Sequence, residues 1–165
     1  MTRPPPNHAV PIWDVYFVTA STFARRPLFQ TDRVARFFLE TIFHYRTEGK
    51  YRLHEFVVMP DHFHLLLAPA PEVGLERVVQ LIEGGFAYRL RKELELNLEV
   101  WERDYTDHRV REAEDYDYHA GYIRQNPVRD QLALAAEYYP YGSASSDFEL
   151  DWCPLDLNPE VLLLA

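Results

Sequence analysis

The chain has 165 residues, 47% of them hydrophobic and 15% aromatic, which suits one globular domain with its own core and excludes a disordered chain. Its one cysteine, Cys153, excludes an intrachain disulfide and a multi-cysteine zinc ribbon. The formal net charge of -9 argues against nonspecific nucleic-acid binding over the whole surface, although it allows a local basic face. We expect one domain over residues 1–146, followed by a C-terminal tail over 147–165.

No stretch of the sequence reaches the roughly 18 uninterrupted apolar residues of a membrane span. The first residues are rich in proline and lack the hydrophobic region of a signal peptide, so residues 1–11 are predicted to be irregular. We therefore expect a cytoplasmic protein with no membrane partner.

Hydrophobic periodicity predicts the order of the secondary-structure elements. Pro60 and Asp61 are predicted to form the tight turn of a hairpin, and Asp61 is interpreted as a turn residue rather than a base. The predicted elements are, in chain order, a strand over 15–20, a helix from 31 to about 48, strands over 51–59 and 62–68, a helix from 71 to about 96, a short strand within 101–110 and a helix over 113–126.

The first six of these elements follow the βαββαβ order of a ferredoxin-like α+β fold, an antiparallel sheet with two helices on one face. The third helix is additional, and we expect it to cover the other face as the roof of a site. Gly84 and Gly85 lie inside the second helix, where each costs about 1 kcal/mol relative to alanine. A kink, a close backbone approach or a simple weak spot would each explain them.

The third predicted strand carries two histidines, His62 and His64, on either side of Phe63. Alternate residues of a strand point to the same face, so the two imidazoles should project side by side and Phe63 should point the other way. Two adjacent imidazoles on a rigid strand are typical of the beginning of a metal site. Hydrogen-bonded core histidines would produce the same pattern.

The third predicted helix carries Tyr122 and Asn126, which are four residues apart and should share one helix face. Pro127 disfavours helical backbone at the residue before it, so we expect Asn126 in the last turn.

Several segments in this order resemble the HUH single-strand DNA nucleases, and specifically the REP-associated tyrosine transposases. The resemblance covers about residues 12–146, and it departs from the family pattern at Arg109, where an apolar residue is usual, and at Gly142, which interrupts a Tyr-Pro-Tyr-Ser-Ser stretch. The segments that carry it are 15–19 with 26–29, 58–66 with its His-Phe-His, 105–111 with its Asp-His, 122–128 with its Tyr-Ile-x-x-Asn-Pro-Val, and 137–145.

The resemblance implies a reaction on single-stranded DNA that carries a hairpin. A tyrosine attacks the scissile phosphate, keeps the 5′ phosphate as a phosphotyrosine and releases a 3′ hydroxyl. A retired transposase that only binds hairpins is the alternative function, and a metal-dependent hydrolase with a water nucleophile is a third. Related transposases with a shared active site swap helices between two subunits, whereas resemblance to the REP-associated group implies a monomer. The sequence itself leaves a monomer and a homodimer open.

By the same resemblance, Tyr122 is the nucleophile. A phenol is a weak nucleophile at neutral pH, and a divalent metal that polarises the phosphate would supply the missing activation. Tyr118 lies one turn earlier and is the rival nucleophile; only its spacing to Asn126 disfavours it.

The metal, Mg²⁺ or Mn²⁺, is expected to be bound by His62, His64 and the side-chain oxygen of Asn126. All three ligands are neutral, so the metal would keep its full charge for the phosphate. Gln125 is the alternative amide ligand, and His108 is not expected to be a ligand.

Arginine is much more frequent than lysine, and its planar guanidinium binds two phosphate oxygens at once. Ordinary solvated surface is the competing interpretation for any single arginine. The candidate DNA contacts are Arg25 and Arg26 in the first loop, Arg89 on the second helix and Arg109 beside the fourth strand.

Overall fold

The computed structural model describes residues 12–158. The proline-rich stretch 1–11 and the last part of the predicted tail lie outside the described residues. The elements are β1 (Val15–Ser21), α1 (Asp32–Thr47), β2 (Tyr51–Met59), β3 (His62–Pro69), α2 (Leu75–Glu93), β4 (Thr106–Val110) and α3 (Ala113–Arg129), with short 3-10 turns at Phe23–Arg25, Leu28–Gln30, Ala136–Tyr138 and Leu155–Leu157.

The four strands form one antiparallel sheet in the order β2-β3-β1-β4. One hydrophobic core fills the space between the sheet and helices α1 and α2. A second, smaller core lies on the opposite face, under α3. The predicted ferredoxin-like α+β fold with an added helix is therefore confirmed, and β3 is a central strand.

The alternation predicted for β3 is present. Phe63 and Leu65 are completely buried in the core under α1 and α2. His62 and His64 alternate with them and lie on the α3 side, where Leu66 joins the second core. The strand therefore uses one face for packing and presents its histidines on the other.

Helix α2 begins later than predicted, at Leu75, because the backbone at Gly74 has a φ of 80° and is not helical. Its two internal glycines differ in their surroundings. A Cβ on Gly85 would lie 2.5 Å from the hydroxyl of Tyr45 on α1, whereas a Cβ on Gly84 would meet open space. Gly85 is therefore the position where the Tyr45 side chain of α1 lies against the backbone of α2, and Gly84 is the weak spot.

The predicted end of α3 is wrong by one turn. The helix continues three residues further, through Pro127 to Arg129, and Asn126 begins its last turn, as expected. A proline has no N–H to donate, but its ring is tolerated here two residues before the helix end, where Asp130 N–H caps the carbonyl of Asn126. The extra turn brings Arg129 onto the same helix, two turns after Tyr122.

Strand β4 is shorter than the segment from which it was predicted: Trp101 forms only an isolated antiparallel bridge with Thr22, and its side chain packs against the core of α1 and α2. Its indole donates to the carbonyl of Glu83 on α2 at 2.9 Å.

The described part of the predicted C-terminal tail packs on the domain. Leu150 is buried, and the Asp151 carboxylate accepts from Arg46 and from the backbone N–H of Leu53. The boundary at residue 146 stays a prediction.

Among residues 12–158, no helix has the length and apolar character that a membrane crossing requires.

Candidate active site

The two histidines of β3 form the floor of the site. The ring centroids of His62 and His64 are 4.9 Å apart, with their planes at 77°. In the sheet, His64 lies opposite Thr19 of β1 and Val57 of β2, so a strand on either side fixes its backbone. A rigid support of this kind holds two nitrogen donors at a fixed separation.

One nitrogen of His64 is hydrogen-bonded and the other is not. Nδ1 lies 2.6 Å from the Thr19 hydroxyl, while Nε2 is buried without a hydrogen-bond partner among the described residues. Burial, the neighbouring His62 and the charges of Arg129 and Arg25 lower the pKa of His64 to about 3. The imidazole is therefore neutral at pH 7. With the proton on Nδ1 and donated to Thr19, its Nε2 has a lone pair for a ligand.

His62 is oriented by a carboxylate. Its Nδ1 lies 2.7 Å from Asp61 Oδ1, and the other oxygen of Asp61 pairs with Arg25 Nε at 3.2 Å. A carboxylate that holds one imidazole nitrogen leaves the other free to bind a metal and raises its basicity. Asp61 is thus more than the turn residue that the sequence suggested.

Helix α3 carries a buried amide, Asn126. Asn126 is 5% exposed, and its Oδ1 has no hydrogen-bond partner within residues 12–158. A buried amide oxygen without a partner carries a desolvation cost, so a bound group at this position would relieve it. Gln125, the alternative ligand, is exposed.

Tyr122 faces the histidine floor. Its ring centroid is 5.4 Å from that of His64 and 5.9 Å from that of Phe17 on β1. From two turns further along α3, the Arg129 guanidinium carbon lies 4.0 Å from the centroid of the Tyr122 ring, and Nη2 donates to the Tyr122 carbonyl at 2.8 Å. The cation therefore holds both the ring and the backbone of this residue.

The rival tyrosine lies elsewhere. Tyr118 is 66% exposed, and its ring contacts His119, with centroids 5.1 Å apart, rather than the histidine pair. Position on the helix thus favours Tyr122 as the reactive phenol.

The first loop lies beside the histidine pair. The backbone N–H of Thr22 donates to the carbonyl of Asp61, and the hydroxyl of Thr22 donates to the carbonyl of Arg26. The loop carries Arg25, whose left-handed φ of 53° turns it toward Asp61, and Arg26, which lies over Phe23. A cleft of about 430 Å³ opens here, lined by Pro27, Pro60, Asp61, His62, Asp130 and Leu132.

The structure does not bring the other two predicted arginines to the site. Arg89 lies between α1 and α2 on the opposite face, where its guanidinium stacks on Phe37 and pairs with Glu40. Arg109 pairs across the sheet with Tyr16, whose side chain packs on the core of α1 and α2, and it forms an ion pair with Asp14. Neither is placed to contact a strand bound at His62.

The residues present fit a divalent metal. Among the described residues, two imidazole nitrogens, one of them without a partner, and a partnerless amide oxygen are donors that Mn²⁺ accepts, and His64 is neutral at pH 7. Thr19 and Asp61 accept hydrogen bonds from the Nδ1 atoms of the two imidazoles and supply the second layer of contacts that metal-binding histidines usually have.

Comparison with known proteins identifies the family of this chain. Residues 15–126 match the family of IS200-like transposases. That match spans more than half of the chain, so the protein belongs to the IS200-like transposase family, a family of DNA-processing enzymes.

Individual relatives extend the similarity. The chain is 26% identical to a Haemophilus influenzae protein described as a REP-associated tyrosine transposase, over 89% of this chain and 90% of that one. A solved REP-associated tyrosine transposase bound to a REP hairpin superimposes with a TM-score of 0.66 at 20% identity, covering 96% of this chain and 94% of the other. A transposase from Deinococcus radiodurans gives 0.53 at 20% identity, covering 79% and 99%. The resemblance expected from the sequence is confirmed.

Sequence reasoning missed three supporting residues: Thr19, Arg129 and the orienting role of Asp61. The position of Thr19 depends on the register of β1 against β3, which one strand alone does not reveal. Arg129 is seven residues after Tyr122, a spacing that indicates a shared face only if the helix continues past Pro127.

Proposed function

We propose that this transposase-family chain is a metal-dependent single-strand DNA endonuclease and strand transferase of the HUH type, which nicks near DNA hairpins through Tyr122. The observation that carries the proposal is the position of the Tyr122 ring 5.4 Å from His64, whose Nε2 is buried and partnerless within residues 12–158. A phenol beside a vacant neutral donor suits attack on a phosphate that is bound at the same point.

His62, His64 and Asn126 would hold the metal, Mg²⁺ or Mn²⁺. When bound, it polarises the scissile phosphate and stabilises the charge of the transition state. Thr19 and Asp61 orient the two imidazoles so that each offers one nitrogen. Burial keeps His64 neutral, so protonation does not compete with binding at neutral pH.

Tyr122 forms the new bond. Its hydroxyl oxygen attacks phosphorus, and the phenol proton leaves to solvent. The bond from phosphorus to the 3′ oxygen breaks, and that oxygen takes up a proton and leaves as a 3′ hydroxyl. The phosphate remains a diester, now between Tyr122 and the 5′ end, so attack by another 3′ hydroxyl reverses the step onto a new strand.

Arginines near the site favour a phosphate despite the overall charge of -9. Besides burial, Arg129 and Arg25 oppose a positive charge on His64, which means that both lie close enough to raise the local potential. Arg25 and Arg26 in the first loop are the proposed backbone contacts, at the mouth of the cleft. A narrow basic site on an acidic body supports selective rather than nonspecific binding.

The proposed substrate is single-stranded DNA with a hairpin. The solved relative bound to a REP hairpin supports this class of substrate. A monomer and a homodimer both remain compatible with the site, because all its residues come from one chain. We propose a cytoplasmic location, which suits an enzyme that acts on bacterial DNA.

The test is covalent capture. The protein is incubated with Mn²⁺ and single-stranded DNA that carries hairpins from its own genome's repeats, labelled at the 3′ end in one reaction and at the 5′ end in another. We expect a protein-linked band with the 3′ label only, because the 5′-labelled fragment leaves with a free 3′ hydroxyl.

Tyr122→Phe and the matched variant Tyr118→Phe separate the candidate functions. Loss of the band in Tyr122→Phe alone supports the proposal. Hairpin binding without cleavage in the parent would instead support the retired binding protein. Cleavage that survives Tyr122→Phe would support the hydrolase with a water nucleophile.

A further inference from the structure

A second group of metal-binding side chains lies outside the candidate active site. His108 on β4 and Asp115 and His119 on α3 each present one donor atom, and the three atoms lie within 4.8 Å of one another. His108 Nε2 is 2.6 Å from Asp115 Oδ2, and His119 Nδ1 is 3.0 Å from Asp115 Oδ1. The two imidazole rings stack with centroids 4.9 Å apart.

The three residues come from two elements that the fold holds together. Asp115 and His119 have the i, i+4 spacing that puts both on one helix face. His108 pairs with Phe17 in the sheet and therefore points to the same side, toward α3. Two imidazoles and one carboxylate are a donor set that binds Zn²⁺ in proteins, with the fourth position open.

The group is separate from the histidine pair of β3. The Phe17 ring lies between them, 5.3 Å from the His64 ring and 4.6 Å from the His119 ring by centroids. His108 has half of its side chain exposed, so an ion could enter from solvent without passing the active site.

We propose that His108, Asp115 and His119 form a second site for a divalent transition metal of the Zn²⁺ class. The ion fastens edge strand β4 to the helix that carries Tyr122, three residues after His119. Nitrogen donors favour Zn²⁺ and Co²⁺ over Mg²⁺, so this site differs in metal preference from the one proposed for catalysis. The inference does not rest on DNA cleavage.

The experiment counts bound metal in the absence of DNA. Untagged, metal-free His62→Gln/His64→Gln protein, which lacks the other site, is titrated with Co²⁺ and followed by its visible absorption. We expect one Co²⁺ per chain, unaffected by excess Mg²⁺. Adding Asp115→Asn should weaken this binding more than about tenfold, since even a group that only orients a ligand contributes 10–100-fold.

His44→Ala is the matched control. His44 pairs with Glu48 at the same i, i+4 spacing on α1, and the described residues offer that pair no third ligand. The control should leave Co²⁺ binding unchanged. An absence of Co²⁺ binding in the His62→Gln/His64→Gln protein, or binding that Asp115→Asn does not weaken, would overturn the proposal.

A folding defect in the double variant would not block the test. Asp115→Asn in the otherwise unchanged chain should then take up one Co²⁺ fewer than the parent, and Zn²⁺ should raise the melting temperature of the parent but not of that variant. Equal uptake by the two proteins would overturn the proposal. No readout involves DNA. A failure of the second metal site therefore leaves the proposed nuclease activity untouched, and a failure of the nuclease activity leaves the second metal site untouched.

Discussion

Arg129 lies over the ring of Tyr122, with its guanidinium carbon 4.0 Å from the ring centroid, and it also donates to the carbonyl of Tyr122 at 2.8 Å. The two residues are two turns apart on α3, so the contact exists only because the helix runs through Pro127. One side chain thereby fixes the proposed nucleophile from the far end of its helix and contributes positive charge near His64.

Replacing Arg129 should lower the rate of strand cleavage with little loss of stability. Arg129→Ala removes a cation–π contact and a charged hydrogen bond, together worth about 1–2 kcal/mol of positioning, so we expect the rate to fall about 5- to 30-fold. Arg129→Lys should recover part of the rate, because it keeps the charge but not the planar donor.

The control for Arg129 is Arg91→Ala, since Arg91 lies over the ring of Tyr88 on α2, away from the site. Single-turnover cleavage of a hairpin-bearing strand measures both variants. An unchanged rate in Arg129→Ala, or an equal loss in Arg91→Ala, would contradict the assigned role.

Thr19 should determine metal affinity through His64. Thr19→Val removes the hydroxyl that lies 2.6 Å from Nδ1 and so frees the ring to change its tautomer and orientation. We expect Mn²⁺ binding to weaken about 10- to 100-fold, as is usual when the partner of a metal-binding histidine is lost. Isothermal titration with Mn²⁺ measures it.

The same substitution at Thr106 is the comparison, because Thr106 lies opposite Thr19 on edge strand β4 and is exposed. Thr106→Val should leave Mn²⁺ affinity unchanged. Equal affinities for the parent and the Thr19→Val protein would mean that His64 is not a ligand or does not need this hydrogen bond.

Gly84 and Gly85 should respond oppositely to alanine. Gly84→Ala adds a methyl group in open space and removes the flexibility of a helix-interior glycine, so it should stabilise the fold by up to about 1 kcal/mol. Gly85→Ala forces the Tyr45 ring to move and should be destabilising. Urea unfolding of both variants tests this, and a stabilising Gly85→Ala would show that the Tyr45 ring moves aside at little cost.

Glu83 should make stability depend on pH. Burial raises the pKa of its carboxyl from 4.5 to about 7. A raised pKa in the folded state contributes stability below about pH 4.5, and that contribution is lost as the pH rises through 7. Glu83→Gln should therefore stabilise the protein at pH 8 by about 1 kcal/mol and have little effect at pH 4.

Glu76→Gln on the same helix is the control for Glu83. Glu76 is exposed in the first turn of α2, where a carboxylate interacts favourably with the helix dipole, so its replacement should slightly lower stability at pH 8. Urea unfolding at both pH values distinguishes the two. A Glu83→Gln protein that is less stable than the parent at pH 8 would contradict the buried carboxyl.

The fold was largely predictable because hydrophobic residues recur along its strands and helices at the spacing typical of each. In β3, the period of two separates Phe63 and Leu65 from the histidine pair, and the structure has this arrangement. The end of α3 was not predictable from local rules, since tertiary packing of Ile123 and its neighbours on the sheet outweighs the local preference around Pro127.

Contacts between distant segments were the part of the site that the sequence did not reveal. The pairing of Thr19 with His64 depends on strand register. Among the arginines, only the three-dimensional structure shows that Arg89 serves helix packing while Arg25 lies beside the histidines. His119 lies outside the segments that carry the family resemblance, and His108, which contacts the same carboxylate, comes from another element.

The measurement that tests the central claim most directly is the identity of the residue linked to DNA. The covalent product is digested with nuclease and with trypsin, and the peptide from Glu112 to Arg124, which contains Tyr116, Tyr118 and Tyr122, is fragmented in the mass spectrometer. We predict a nucleotide 5′-phosphate on Tyr122 alone. A modification on Tyr116 or Tyr118, or cleaved DNA with no modified peptide, would contradict the account.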